Sequence, residues 1–248
     1  MDANAYIGEV ISGFVYPFVG VRLYRLSRRT GGAPEALIAA SFLLWTLSYA
    51  IWDIPYAFVD SEELVPAVYS YGSLVALAAG NAVLAFFIRA VFRPGARWAT
   101  GFVAAVAVSN LAGVAGMAWH SDWEGTGALT NPWYWLECFG SFAPITWMGV
   151  EGLAQYFKTR RQLKLGLCEP MSCNRFLLWG IAGALWVILE AIVTASDLVY
   201  ALTGEWSALL GVAIGLLEFV PIAIIWFVFF PPVFYRRWVE RRGKLLAA

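Results

Sequence analysis

Seven stretches of mostly apolar residues succeed one another along the chain, at about 5–26, 35–58, 66–93, 98–120, 132–157, 174–201 and 206–235. Each is long enough to cross roughly 30 Å of hydrocarbon as an α-helix. Short polar breaks separate them. Thr30-Gly31-Gly32-Ala33-Pro34 and Arg93-Pro94-Gly95 are the clearest, with Pro34 suited to the first turn of the helix that follows. Breaks this short make neighbouring helices antiparallel. The pattern predicts an all-α polytopic membrane protein, one seven-helix domain spanning 1–248. The first segment has neither a basic leader nor a small-residue cleavage site, so it is expected to stay in the mature protein.

Composition supports a bilayer as the solvent. Of 248 residues 60% are hydrophobic and 14% charged, more apolar surface than one water-soluble core hides. Charge then orients the helices. All 17 Lys and Arg cluster at or beyond the end of the first segment, around the junctions of the third with the fourth and the fifth with the sixth, or after the seventh. By the positive-inside rule these connections are cytoplasmic, which puts the N-terminus outside and the C-terminus inside. The opposite connections hold Asp60, Glu62, Glu63, Asp122, Glu124 and Glu205. Ser121 to Asn131, the longest of these, is either a cap over the bundle or an ordinary loop. Gln162 to Asn174, on the basic side, is expected to form a short interfacial helix.

The acids inside the segments carry the candidate chemistry. Glu9, Asp53, Glu137, Glu190, Asp197 and Glu218 lie in the apolar runs, and Glu190 and Asp197, seven residues apart, share a helix face. An ionised carboxylate at a helix centre costs about 2.5–3.5 kcal/mol on insertion scales, so a group of them implies a hydrated or mutually bonded interior. Asp53, Glu137, Glu190 and Glu218 are the expected lining of a functional cavity. Singly, Glu9, Glu151 or Asp197 also reads as a hydrogen bond to a neighbouring helix. His120, the only histidine, is expected to anchor at the membrane surface.

Aromatic residues add to this. Thirteen Trp, eleven Tyr and seventeen Phe exceed what two interfacial belts require. Trp45, Trp52, Trp147, Trp186 and Trp226 lie deeper, and Trp186 precedes Glu190 by one helical turn. They are either packing or aromatic faces for a cation, at about 0.5–2 kcal/mol per contact. No lysine lies within any of the seven apolar segments to tether retinal. The chain has no HExxH, GxSxG, Walker, dinucleotide or DDxxD motif. Cys168 and Cys173 have no companion ligands, so no metal or cofactor is expected, and no nucleic-acid partner.

The segment Trp52-Asp53-Ile54-Pro55-Tyr56, with Glu218 in the last segment, resembles the Trp-Glu-x-x-Tyr stretch and distal acid of the small seven-helix membrane terpene cyclases of fungal meroterpenoid and bacterial indole-terpenoid pathways. The chain departs from that pattern in Asp for Glu at 53, Glu for Asp at 218, and Pro55. The resemblance implies that Asp53 and Glu218 are catalytic, protonating an epoxide or alkene of a linear prenyl chain. It implies substrate contacts from Trp45, Trp52, Tyr56, Glu137, Trp147, Trp186, Glu190 and Trp226. An isoprenoid or prenylated small molecule would be the substrate, membrane lipids the surroundings, and a prenyltransferase an upstream partner. The stretches Leu165 to Pro170, Asn174 to Gly180 and Arg28 to Glu35 are similar to a pattern in bacterial seven-helix proteins of no assigned function. That implies a bacterial inner membrane. The alternative from the residues alone is a heptahelical sensor or small carrier taking a cationic ligand, metal ion or proton into an outward-facing acidic cavity.

Overall fold

The computed structural model describes residues 3–58, 67–120, 130–205 and 208–247, with side chains in these spans other than those of 3–12, 52–58, 67–70, 208–209 and 244–247. Among the described residues there are eight helices: α1 (Ala3–Thr30), α2 (Ala33–Phe58), α3 (Ala67–Phe92), α4 (Arg97–His120), α5 (Pro132–Lys164), α6 (Pro170–Thr203), α7 (Ala208–Phe229) and α8 (Val233–Ala247). Five are long and apolar enough to cross a membrane: α2, α3, α4, α6 and α7. The chain is a helical multi-pass membrane protein.

Local chemistry sets the helix ends. Gly31 takes the left-handed backbone (φ 68°) that terminates α1, and its N–H donates to Ser27 O at 2.8 Å. Asn131 caps α5, its side chain accepting the Trp133 N–H at 2.9 Å, with Pro132 at the first helical position. Two boundaries depart from the sequence expectation. No interfacial helix forms over Gln162 to Asn174, because α5 continues through its basic residues to Lys164, and α6 begins at Pro170 after a turn at Gly166 (φ 70°). The last apolar run stops at Phe229, since Pro231 and Pro232 cannot continue the helix. The basic C-terminal residues form the separate α8. Of the segment read as cap or loop, Ser121 to Asn131, residues 121–129 lie outside the described residues.

Six helices close a ring in which each packs on its neighbours: α1 on α2, α2 on α3, α3 on α5, α5 on α6, α6 on α7, and α7 back on α1. The remaining long helix, α4, lies in the groove between α3 and α5. Small residues permit the closest approaches. A Cβ on Gly183 would stand 2.5 Å from the Gly149 N and Cα, and one on Gly152 would stand 2.5 Å from the Gly180 N, so α5 and α6 touch backbone to backbone. The core joins Phe42 and Trp45 of α2, Leu84, Phe87 and Ile88 of α3, Met148 of α5, Trp179 and Trp186 of α6, and Ile222 and Ile225 of α7.

Candidate functional site

The ring of helices gathers acids and aromatics near its middle. Glu218, about 15 Å along α7 from its start, is 7% exposed. Its Oε1 accepts two phenolic hydrogen bonds, from Tyr16 of α1 at 2.5 Å and from Tyr49 of α2 at 2.9 Å. The two tyrosine rings stack at 5.6 Å. Phe42 and Trp45 complete the wall from α2, each within 6 Å of the Tyr16 ring. Trp186 of α6 meets Trp45 edge-on at 5.8 Å. One buried carboxylate is thus held by two hydroxyls beside five aromatic rings. Pro221, one turn beyond Glu218, withdraws the N–H that the Leu217 carbonyl would otherwise accept.

A second polar path crosses the bundle from the same aromatic group. Trp45 Nε1 donates to Asn81 Oδ1 at 3.1 Å, Asn81 Nδ2 donates to Ser141 Oγ at 2.9 Å, and Ser141 Oγ donates to Glu137 Oε1 at 2.8 Å. Three helices are tied by side chains whose donors all point one way. Gly80 makes room for it: a Cβ there would stand 2.6 Å from the Trp45 indole. Glu190, one turn from Trp186, lies within electrostatic reach of Glu137, Glu218 and Asp197. Asp197 in turn accepts from the Tyr134 hydroxyl at 3.0 Å, joining α6 to α5.

Glu137, Glu190, Glu218, Trp45 and Trp186 are therefore brought together. Trp147 and Trp226 are placed elsewhere. Trp147 packs edge-on to Phe102 at 4.9 Å and donates to Glu151, which Arg93 pairs at 2.6 Å. This is the one ion pair among the described residues, and it lies at the end of the bundle rich in basic residues. Glu151, 4% exposed, is held there by a partner from the α3–α4 turn. Its hydrogen bond pushes the pKa of the Arg93 guanidinium above its ordinary value. Trp226 stacks on Phe18 at 5.4 Å along the outer seam of α1 and α7. The side chains of Trp52, Asp53 and Tyr56, and that of Glu9, lie outside the described residues.

No protein-family model, curated protein or solved structure matches the chain. The terpene-cyclase resemblance rests on the residues that carry it. The sequence pattern does not single out Tyr16, Tyr49, Asn81, Ser141 or Tyr134. Of these, Asn81 has a visible signal: a lone amide beside a glycine in the apolar run from Leu74 to Phe87. Tyr16 and Tyr49 have none, because a tyrosine in a membrane helix reads equally as packing.

Proposed function

We propose that this protein is a membrane-embedded terpene cyclase acting on a linear prenyl chain that ends in an epoxide or alkene. The observation that carries this reading is the Glu218 carboxyl, held by Tyr16 and Tyr49 hydroxyls beside the rings of Phe42, Trp45 and Trp186. Asp53 or Glu218, in its protonated form, delivers a proton to the epoxide oxygen or the terminal alkene carbon. The C–O bond opens, or the π bond is protonated, and the next double bond attacks the developing cation. Indole and phenol faces stabilise that positive charge. A second carboxylate, Glu137 or Glu190, takes the final proton, so the product is an isomer of the substrate. Trp52 and Tyr56 are assigned to the substrate wall with Trp45 and Trp186. The chemistry needs no metal or cofactor, and a prenyltransferase would supply the substrate.

The same reading takes 1–248 as one domain of seven membrane-crossing helices, N-terminus outside and C-terminus cytoplasmic, in a bacterial inner membrane. Packing supports α1 and α5 as the two further spans: α1 closes the ring between α2 and α7, and α5 lies between α4 and α6. The basic extension of α5 lowers its mean hydropathy without shortening its apolar part.

A second reading is favoured by the acids that the helices hold by side-chain hydroxyls, Glu218 by Tyr16 and Tyr49, Glu137 by Ser141 and Asp197 by Tyr134, with Glu190 one turn from Trp186. In it the protein is a sensor or small carrier, and these acids are counter-ions for a cation or proton. One experiment separates the two. Cells expressing the chain, Asp53→Asn or Glu218→Gln are fed linear prenyl epoxides and prenylated aromatics, and lipid extracts are analysed by mass spectrometry. The cyclase reading expects an isomeric product with the unaltered chain and at least a hundredfold less with either variant, both shown to be folded. Undiminished product in both variants overturns the acid assignment. No product from any substrate, with stabilisation by an amine or divalent ion that is recovered unchanged, transfers the conclusion to the sensor.

A further inference from the structure

The outer seam between α1 and α7 carries a feature that the acidic cluster does not use. An apolar groove runs along it, lined by Val15, Phe18 and Val19 of α1 and by Ile222, Ala223 and Trp226 of α7, among others. It continues into a second groove on α1, formed by Pro17, Phe18, Val21, Arg22 and Arg25, so Phe18 belongs to both. The Arg22 guanidinium lies over the Phe18 ring at 5.6 Å, and Phe18 stacks on Trp226, which meets Phe230 at 4.5 Å. From Val15 to Arg25 the helix rises about 15 Å, so a hydrocarbon channel ends on two cations at the basic end of the bundle. Among the described residues, no acidic side chain lines either groove.

We propose that this seam binds one anionic phospholipid of the surrounding bilayer, an acyl chain lying along the apolar groove and the phosphate on Arg22 and Arg25. Exposure fits a lipid-facing site: Phe18 is 54% and Val21 40% exposed, and Arg22 and Arg25 are both exposed. An acyl chain covers the apolar walls, and the anionic head neutralises cations that would otherwise compete for hydration at the membrane surface. Tyr16 and Glu218 lie buried on the same two helices within one turn of the groove residues Val19 and Ile222, so the lipid clamps the seam across which Tyr16 donates. The proposal is independent of the enzymatic reading.

The test is thermal unfolding of the detergent-purified full chain with added phosphatidylglycerol, phosphatidylcholine of the same acyl chains, or inorganic phosphate. Phosphatidylglycerol is expected to raise Tm by about 5 °C near saturation, and phosphatidylcholine by less than half of that. The shift should be mostly lost in Arg22→Gln/Arg25→Gln and in Ala223→Trp, which fills the groove, each compared with its own lipid-free Tm. It should survive in Arg236→Gln/Arg237→Gln, which removes the same charge from α8. Equal shifts with both lipids, an equal shift with phosphate alone, retention in Arg22→Gln/Arg25→Gln, or equal loss in the α8 variant would each overturn the assignment. If Ala223→Trp does not fold, Ala223→Leu serves as the groove variant, with the same expected loss.

Discussion

Two hydroxyls converge on one oxygen of Glu218, and their contributions can be separated. Tyr16 is 4% exposed and its bond is the shorter, so Tyr16→Phe removes one of the two phenolic donors from a buried carboxyl. Polar contacts between membrane helices contribute about 0.6 kcal/mol on average and up to about 1.7 kcal/mol. Tyr16→Phe is expected near the upper figure and Tyr49→Phe near the lower, in unfolding followed by circular dichroism. Tyr16→Phe/Tyr49→Phe should cost more than the sum of the two, because the carboxyl is then left without either phenol. An additive result would show that the two hydroxyls act on the carboxyl independently. The acids and deep tryptophans of this site are legible in the sequence because charge and indole are rare at such positions. Its hydrogen-bond donors are not: which hydroxyl meets Glu218 depends on the rotation of α1 and α2 about their axes, and apolar runs without a strong polar face leave that rotation open.

That the chain is a helical membrane protein was legible for the same reason, since twenty apolar residues have few other uses. Ends were less so. Charged residues look like a loop, yet α5 keeps its turns through Lys158, Arg160, Arg161 and Lys164, where side chains reach water while the backbone stays helical. Pairing between elements was not legible, because it rests on glycine positions that mean nothing until two helices meet. Gly183→Ala places a methyl against the Gly149 backbone, which cannot give way, and is expected to cost about 2 kcal/mol or more in unfolding free energy. Gly101→Ala, on the exposed face of α4 with no atom within 4 Å of the added carbon, should instead leave stability unchanged or raise it by up to about 1 kcal/mol. Similar losses for both would mean that α5 and α6 do not meet through these glycines.

For the whole molecule, ring closure and charge asymmetry make one joint expectation. Single cysteines, introduced in a background lacking Cys138, Cys168 and Cys173, report which face each connection occupies. At 125 they should react with a membrane-impermeant maleimide added outside intact cells; at 95 or 165 they should react only after permeabilisation. The reverse pattern would invert the proposed orientation while leaving the bundle intact. The place of α4 outside the ring was not legible in the sequence, because its apolar surface is nearly uniform around the helix. The contact between α1 and α7 also has a consequence for biosynthesis. The Tyr16–Glu218 bond joins residues 202 positions apart, so Glu218 enters the membrane long after its partner and the site is the last part of the protein to be assembled. A ribosome that stalls before α7 releases a chain with most of its helices and without the Tyr16–Glu218 bond.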